Sequence, residues 1–297
     1  MEEVRRGLLD KVTNFSVKWA GYSAFGSFLL YLFGYLALRF QLYTYGVATN
    51  LDVFDERYLF AGCRFLVFIG VALPNILFLL ALLLLPLYAV YRLTSPALRS
   101  RIRERATNWL AQPYRMAFLS SILALLLIQF VLKQCLFLSN MLLRDHPPDF
   151  WIHSVLLWSD GAQALYFDAL LLGIGINVAL VIHAARLPRI PGTLGAAAIP
   201  LLVSLVAIEI LFLPVNYGIL IGSTWLPRVS QIEPQAKSAA PTAAWLVWDS
   251  KDALTYLVCD NNSRALVSMP KKDNRISVIA YDPIFPVVTR PPCSPPE

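Results

Sequence analysis

Three ionisable side chains interrupt apolar runs: Lys133 in "LIQFVLKQCLF", Asp168 in "ALYFDALLLG" and Glu209 in "LVAIEILFL". A charge in hydrocarbon costs ~2.5–3.5 kcal/mol on insertion scales and usually faces protein, water or a counter-charge. At about 1.5 Å per residue, Lys133 and Glu209 lie roughly 25 and 22 Å from the basic ends of their runs, and Asp168 about 10 Å from the opposite end. Helical spacing places Ser121, Gln129, Lys133 and Asn140 on one polar seam, and Glu209 with Asn216 on another. The expectation is an intramembrane cluster of Gln129, Lys133, Asn140, Asp168, Glu209 and Asn216 in which one ammonium meets two carboxylates. Such a cluster either fixes helices to one another or conducts a proton or ion.

Other chemistry is sparse. Asp149 and His153 stand four apart in "RDHPPDFWIH" and make a weak metal-ligand pair. With Trp151 and Trp158 beside them, they read first as a helix cap and an aromatic belt at the membrane boundary. No P-loop, dinucleotide fingerprint, zincin motif, nucleophile elbow or C-x-x-C occurs, and the chain has 3 histidines. No cofactor and no resident metal are therefore expected. "GIGIN" (173–177) is read as close helix packing rather than a phosphate cradle.

The elements carrying these residues follow from composition. The chain is 57% hydrophobic and 15% charged, well below the ~25% charge of a soluble domain. Five apolar runs, roughly 19–38, 65–91, 116–142, 161–185 and 194–222, each reach the length of about 20 residues that crosses a bilayer. The predicted architecture is an α-helical polytopic membrane protein with five transmembrane helices and a small C-terminal antiparallel β domain. Residues 1–18 form an amphipathic segment, 19–222 the helical domain, 223–243 a linker and 244–297 a β-meander with a Pro-rich tail. The strands are expected at "AWLVW", "LTYLVC", "ALVSM" and "RISVIAY", separated by "DSKD", "DNNS" and "PKKDN" turns. In the loop 39–64, Leu51, Phe54 and Tyr58 behind Asn50 predict a short interfacial helix.

Charge orients the chain. Arg5, Arg6, Lys11, Lys18, Arg92, Arg99, Arg101, Arg103, Arg105, Arg115, Arg186 and Arg189 fall in segments that share one side. Those facing the other side hold only Arg39, Arg57, Arg64 and Arg144, among six acids. The positive-inside rule then predicts a cytoplasmic N-terminus and a β domain outside, in the cytoplasmic (inner) or plasma membrane. The net charge of +6 is spent on topology, not on nucleic acid. Residues 95–110 read as a capped amphipathic helix whose Arg99, Arg101, Arg103 and Arg105 face lipid headgroups or a partner. Outside the cytoplasm Cys259 and Cys293 are a disulfide candidate, worth about 3–4 kcal/mol if closed.

The expected function is that of a non-catalytic integral membrane protein: a subunit, scaffold or sensor with a protein partner or a homo-oligomer in the lipid bilayer. The alternative is an oligomeric ion channel or proton-coupled transporter using Lys133, Asp168 and Glu209.

Overall fold

A computed structural model describes residues 2–47, 56–143, 160–186, 193–220, 225–229, 243–260, 263–271, 277–284 and 287. Its helices are α1 (Glu2–Tyr45), α2 (Glu56–Leu93), α3 (Pro96–Leu110), α4 (Pro113–Phe137), α5 (Asp160–Arg186) and α6 (Thr193–Leu220), with a 3-10 turn at Met141–Leu143. The strands are β1 (Trp225–Val229), β2 (Ala243–Asp249), β3 (Ala253–Asp260), β4 (Ser263–Pro270) and β5 (Val278–Pro283). Among the described residues, five helical stretches are long and apolar enough to cross a membrane: Lys18–Tyr45, Glu56–Leu93, Pro113–Cys135, Gly161–Arg186 and Ala198–Leu220. Each coincides with one of the apolar runs, so the polytopic helical architecture stands.

Helix starts follow local chemistry. Ser95 takes an extended conformation (φ −62°, ψ 151°) and its hydroxyl accepts from the Leu98 N–H, while Pro96 occupies the first turn of α3. Pro113 opens α4 in the same way. Helix crossings follow small residues. A Cβ at Gly34 would strike the Tyr58 carbonyl, one at Gly62 the Leu30 carbonyl, and one at Gly218 the Ala37 carbonyl. Backbone therefore meets backbone where α1 crosses α2 and α6, which only glycine permits. The "GIGIN" glycines divide: Gly173 packs against the Leu127 side chain, whereas Gly175 has open space beside it.

Helices α4, α5 and α6 form an inner bundle whose buried faces repeat at three- and four-residue steps. These are Met116, Ser120, Ala124, Val131 and Gln134 on α4, with Leu138 just after it, and Gln163, Phe167, Leu170, Ile174, Asn177, Val181 and Ala184 on α5. On α6 they are Leu202, Val206, Glu209, Leu213, Asn216 and Leu220. That spacing is the seam of a coiled-coil-like bundle. Tyr58, expected at the membrane boundary, instead lies buried in α2, with T-shaped contacts to Tyr31 and Tyr35 at 5.2 and 5.4 Å. The remainder of that expected interfacial helix, 48–55, lies outside the described residues.

The sheet is antiparallel in the order β4-β3-β2-β1-β5. Four of its strands overlap the expected stretches. The fifth, β1, lies in residues 223–243, expected as a linker; it pairs with β5 from Trp225↔Pro283 to Val229↔Val278 and with β2 at Arg228↔Trp245. Pro227 disguises it, because proline normally marks a strand edge or a loop. The β2–β3 turn uses Ser250 as expected: its hydroxyl accepts from the Ala253 N–H at 2.9 Å.

The sheet shares one core with the helix ends. Leu42 and Tyr45 of α1, Leu138, Met141 and Leu142 after α4, and Val215, Ile219 and Leu220 of α6 pack with Leu226, Trp245, Val247, Leu257 and Cys259. Arg57, in the first turn of α2, donates to the Asp249 carbonyl and lies over the Trp248 ring at 5.4 Å. At the opposite end of the bundle stand Arg92, Arg99, Arg101, Arg103, Arg105, Arg115 and Arg186. The basic end and the sheet end of the bundle are thus distinct.

Candidate functional site

The heptad seam of the inner bundle carries polar residues at regular intervals. Ser120 on α4, Asn177 on α5 and Glu209 on α6 are 0, 0 and 2% exposed and form one hydrogen-bonded layer. The Ser120 hydroxyl donates to Asn177 Oδ1, and Asn177 Nδ2 donates to both Glu209 carboxylate oxygens at 3.0 Å. Glu209 sits halfway along the Ala198–Leu220 span. A carboxylate thus lies near the middle of a helix long enough to cross a membrane, held by an amide from one neighbouring helix, itself fixed by a hydroxyl from another. Among the described residues Glu209 makes no ion pair.

Outward of this layer, towards the sheet, the seam carries further polar groups. Asn216 stands one heptad outward of Glu209 and is fully buried; its Nδ2 donates to the Phe212 carbonyl at 3.0 Å. Gln134 lies two heptads along α4 from Ser120, and Gln163 two heptads back along antiparallel α5 from Asn177, so the two reach one level about 21 Å outward. The Phe130–Tyr166 ring contact, 5.4 Å between centroids, keeps the same register. Both amide atoms of Gln134, Gln163 Oε1, the Tyr166 hydroxyl and Asn216 Oδ1 are buried without a hydrogen-bond partner among the described residues. Inward of Glu209 the character reverses: Val181, Leu202 and Val206 pack with Ala117 and Val178 as a purely apolar cluster.

The expected cluster is therefore redistributed. Gln129 and Lys133 lie on the exposed side of α4, turned away from Glu209, because the apolar and polar residues at 116, 120, 124, 131, 134 and 138 occupy the seam. Lys133 is one turn from the end of α4, where its long side chain can reach headgroups. Asn140 belongs to the turn beyond α4, with a left-handed φ of 54°, a conformation asparagine tolerates. It packs beside Gly46, itself at φ 77°, and its N–H donates to the Tyr43 carbonyl at 3.4 Å. Asp168 is buried on α5, but nine residues, about 13 Å, outward of Asn177. Of the six residues, Glu209 and Asn216 share the seam; Lys133 meets neither acid.

Ser120, Asn177, Gln134 and Gln163 were not singled out by sequence reasoning. Their signal was present in the spacing: each helix of the antiparallel pair α4–α5 carries two polar residues two heptads apart. Asp149, His153 and Cys293 lie outside the described residues. Cys259 is buried in β3. Among the described residues no three His, Cys, Asp or Glu side chains gather in a metal-binding group. On α3, Arg101, Arg103 and Arg105 are exposed, while Arg99 is half-buried and donates to the Thr94 carbonyl at 3.0 Å.

Comparison with protein-family models, with curated proteins and with solved structures returns no match. The site stands on its geometry alone.

Proposed function

We propose that this protein is a non-catalytic integral membrane subunit, scaffold or sensor, oriented with its basic end in the cytoplasm and its sheet outside. The observation that carries the reading is the common core joining the sheet to the ends of α1, α4 and α6, with Arg57 bridging to β2. A sheet fixed in this way is a platform whose position is coupled to helix packing, as a partner-binding or sensing element requires. The positive-inside bias supports the orientation, and the arginines of α3 are positioned to bind anionic headgroups on the cytoplasmic leaflet. Cross-linking in native membranes, followed by mass spectrometry, tests the reading: sheet residues should link to a defined second protein or a second copy. Recovery of the monomer alone, free of partners at every cross-linker length, would sink it.

A second reading, an oligomeric channel or proton-coupled transporter, draws support from Glu209 in the Ser120–Asn177 layer. Flux measured in liposomes separates the two readings. Under transport, Glu209→Gln abolishes flux in a protein that still inserts, while Lys133→Met leaves it intact.

A further inference from the structure

We propose that the sheet-side half of the α4–α5–α6 seam is a one-sided hydrated passage ending at Glu209, whose carboxylate binds a small cation, a proton or an alkali-metal ion, arriving from the sheet side. Two independent features carry this. The first is a mid-span carboxylate held, among the described residues, only by neutral hydrogen-bonding groups, Asn177 and behind it Ser120. Such groups orient the oxygens without supplying the positive charge that an ionised carboxylate in hydrocarbon requires. The second is the asymmetry of the seam. Among the described residues, Gln134, Gln163, Tyr166 and Asn216 place buried, unpartnered polar atoms on the sheet side alone, whereas Val181, Leu202 and Val206 pack as an apolar cluster on the basic side. Unpaired amides and hydroxyls at membrane depth are costly unless water or a ligand pairs with them. Their spacing, from the Gln134–Gln163 level through Tyr166 and Asn216 to Glu209, steps inward by about a heptad at most, some 10 Å along the axis. That interval suits a file of waters.

Titratable and charged groups along the elements around the seam include Arg115, Lys133 and Cys135 on α4, Tyr166, Asp168, His183 and Arg186 on α5, Tyr217 on α6, Arg64 on α2, and Lys18 and Arg39 on α1. Among the described residues the side-chain hydrogen-bond partner of Glu209 is Asn177, and no ammonium or guanidinium group forms an ion pair with it. The passage also has a defined floor, so it delivers a cation to Glu209 without by itself crossing the membrane. The proposal holds under both the sensor and the transport readings, and its test measures neither flux nor partners.

Modification by a hydrophobic carbodiimide provides that test: a protonated carboxyl adds across its N=C bond, oxygen to carbon and proton to nitrogen, and the adduct rearranges to a stable N-acylurea. The full-length protein is placed in liposomes of known orientation, and adducts at Glu209 are counted by mass spectrometry, with Glu209→Gln as the blank. If protons are the ligand, labelling falls about tenfold for each pH unit of sheet-side alkalinisation past the titration point, with no response to pH on the basic side. If an alkali-metal ion is the ligand, sodium or potassium added on the sheet side protects at constant pH. Asn216→Leu should blunt either response, and Asn216→Ser should preserve it. The wild-type measurement alone overturns the proposal if Glu209 is never labelled, if labelling ignores both pH and salt, or if it follows conditions on the basic side.

Discussion

At the scale of single residues, the Ser120–Asn177–Glu209 layer is where substitution has its sharpest consequences. Asn177→Leu removes the donor from two buried carboxylate oxygens and should destabilise the folded protein by about 1–3 kcal/mol or more, read as a lowered Tm in mild detergent. Ser120→Ala removes one hydrogen bond and should cost about 0.5–1.5 kcal/mol. Lys133→Met should shift Tm little, since the lysine lies on the outer face of α4; a loss matching that of Asn177→Leu would return Lys133 to the buried cluster. In the sheet, burial and then the neighbouring Asp249 charge hold the Tyr256 phenol above its ordinary value. The neutral phenol is therefore favoured in the folded state. Its contribution is complete below the unfolded value of about 10 and is lost as pH rises through the higher folded value. Tyrosinate absorbance should show Tyr256 among the last tyrosines of the sheet to ionise, a result that Tyr256→Phe identifies by difference.

At the scale of elements, glycine contacts decide which helices touch. Gly34→Leu or Gly62→Leu drives a side chain into backbone across the α1–α2 crossing, and neither helix can yield without separating. Each should abolish a disulfide engineered between α1 and α2, while Gly175→Leu, facing open space, should leave it unchanged. Sequence reading treated "GIGIN" as the packing motif, whereas the closest backbone approaches fall at Gly34, Gly62 and Gly218. Isolated glycines in long apolar runs carry no local mark of which helix will cross them. Strand β1 was hidden for a related reason. "WLPRV" is short and proline-broken, and becomes a strand only when β5 and β2 offer it partners.

At the scale of the whole molecule, the shared core makes the sheet and the bundle one folding unit. Trp245, Val247 and Leu257 lose their cover if the helices are removed, and a sheet of this size buries too little by itself. Residues 223–297 expressed alone should therefore give an NMR spectrum without dispersed amide signals; a dispersed spectrum would show that the sheet folds independently. In the intact protein Arg57→Ala should raise the rate of proteolysis in the sheet, because the contact to Asp249 and Trp248 ties α2 to β2.

The sequence by itself determined the five spans, the four clearest strands, the Ser95 cap and the segregation of basic residues to one end. Each depends on composition or on neighbours within a turn or two, which act through local propensity and transfer free energy. Only the tertiary structure decided which way α4 faces. Its Ser121–Gln129–Lys133 stripe and its Ser120–Gln134 stripe are both polar, and neither is marked as inward by the sequence of α4. The rotation of an apolar helix about its own axis is set by the helices packed against it. Asn177 and Glu209 supply hydrogen-bonding partners at the level of Ser120, whereas Lys133 is exposed one turn from the end of α4. Relative depth was not legible from counting either. Lys133 and Glu209 count to nearly one level, yet Lys133 stands 13 residues beyond Ser120, about 20 Å towards the sheet from the Glu209 layer, because helices of unequal length start at different heights.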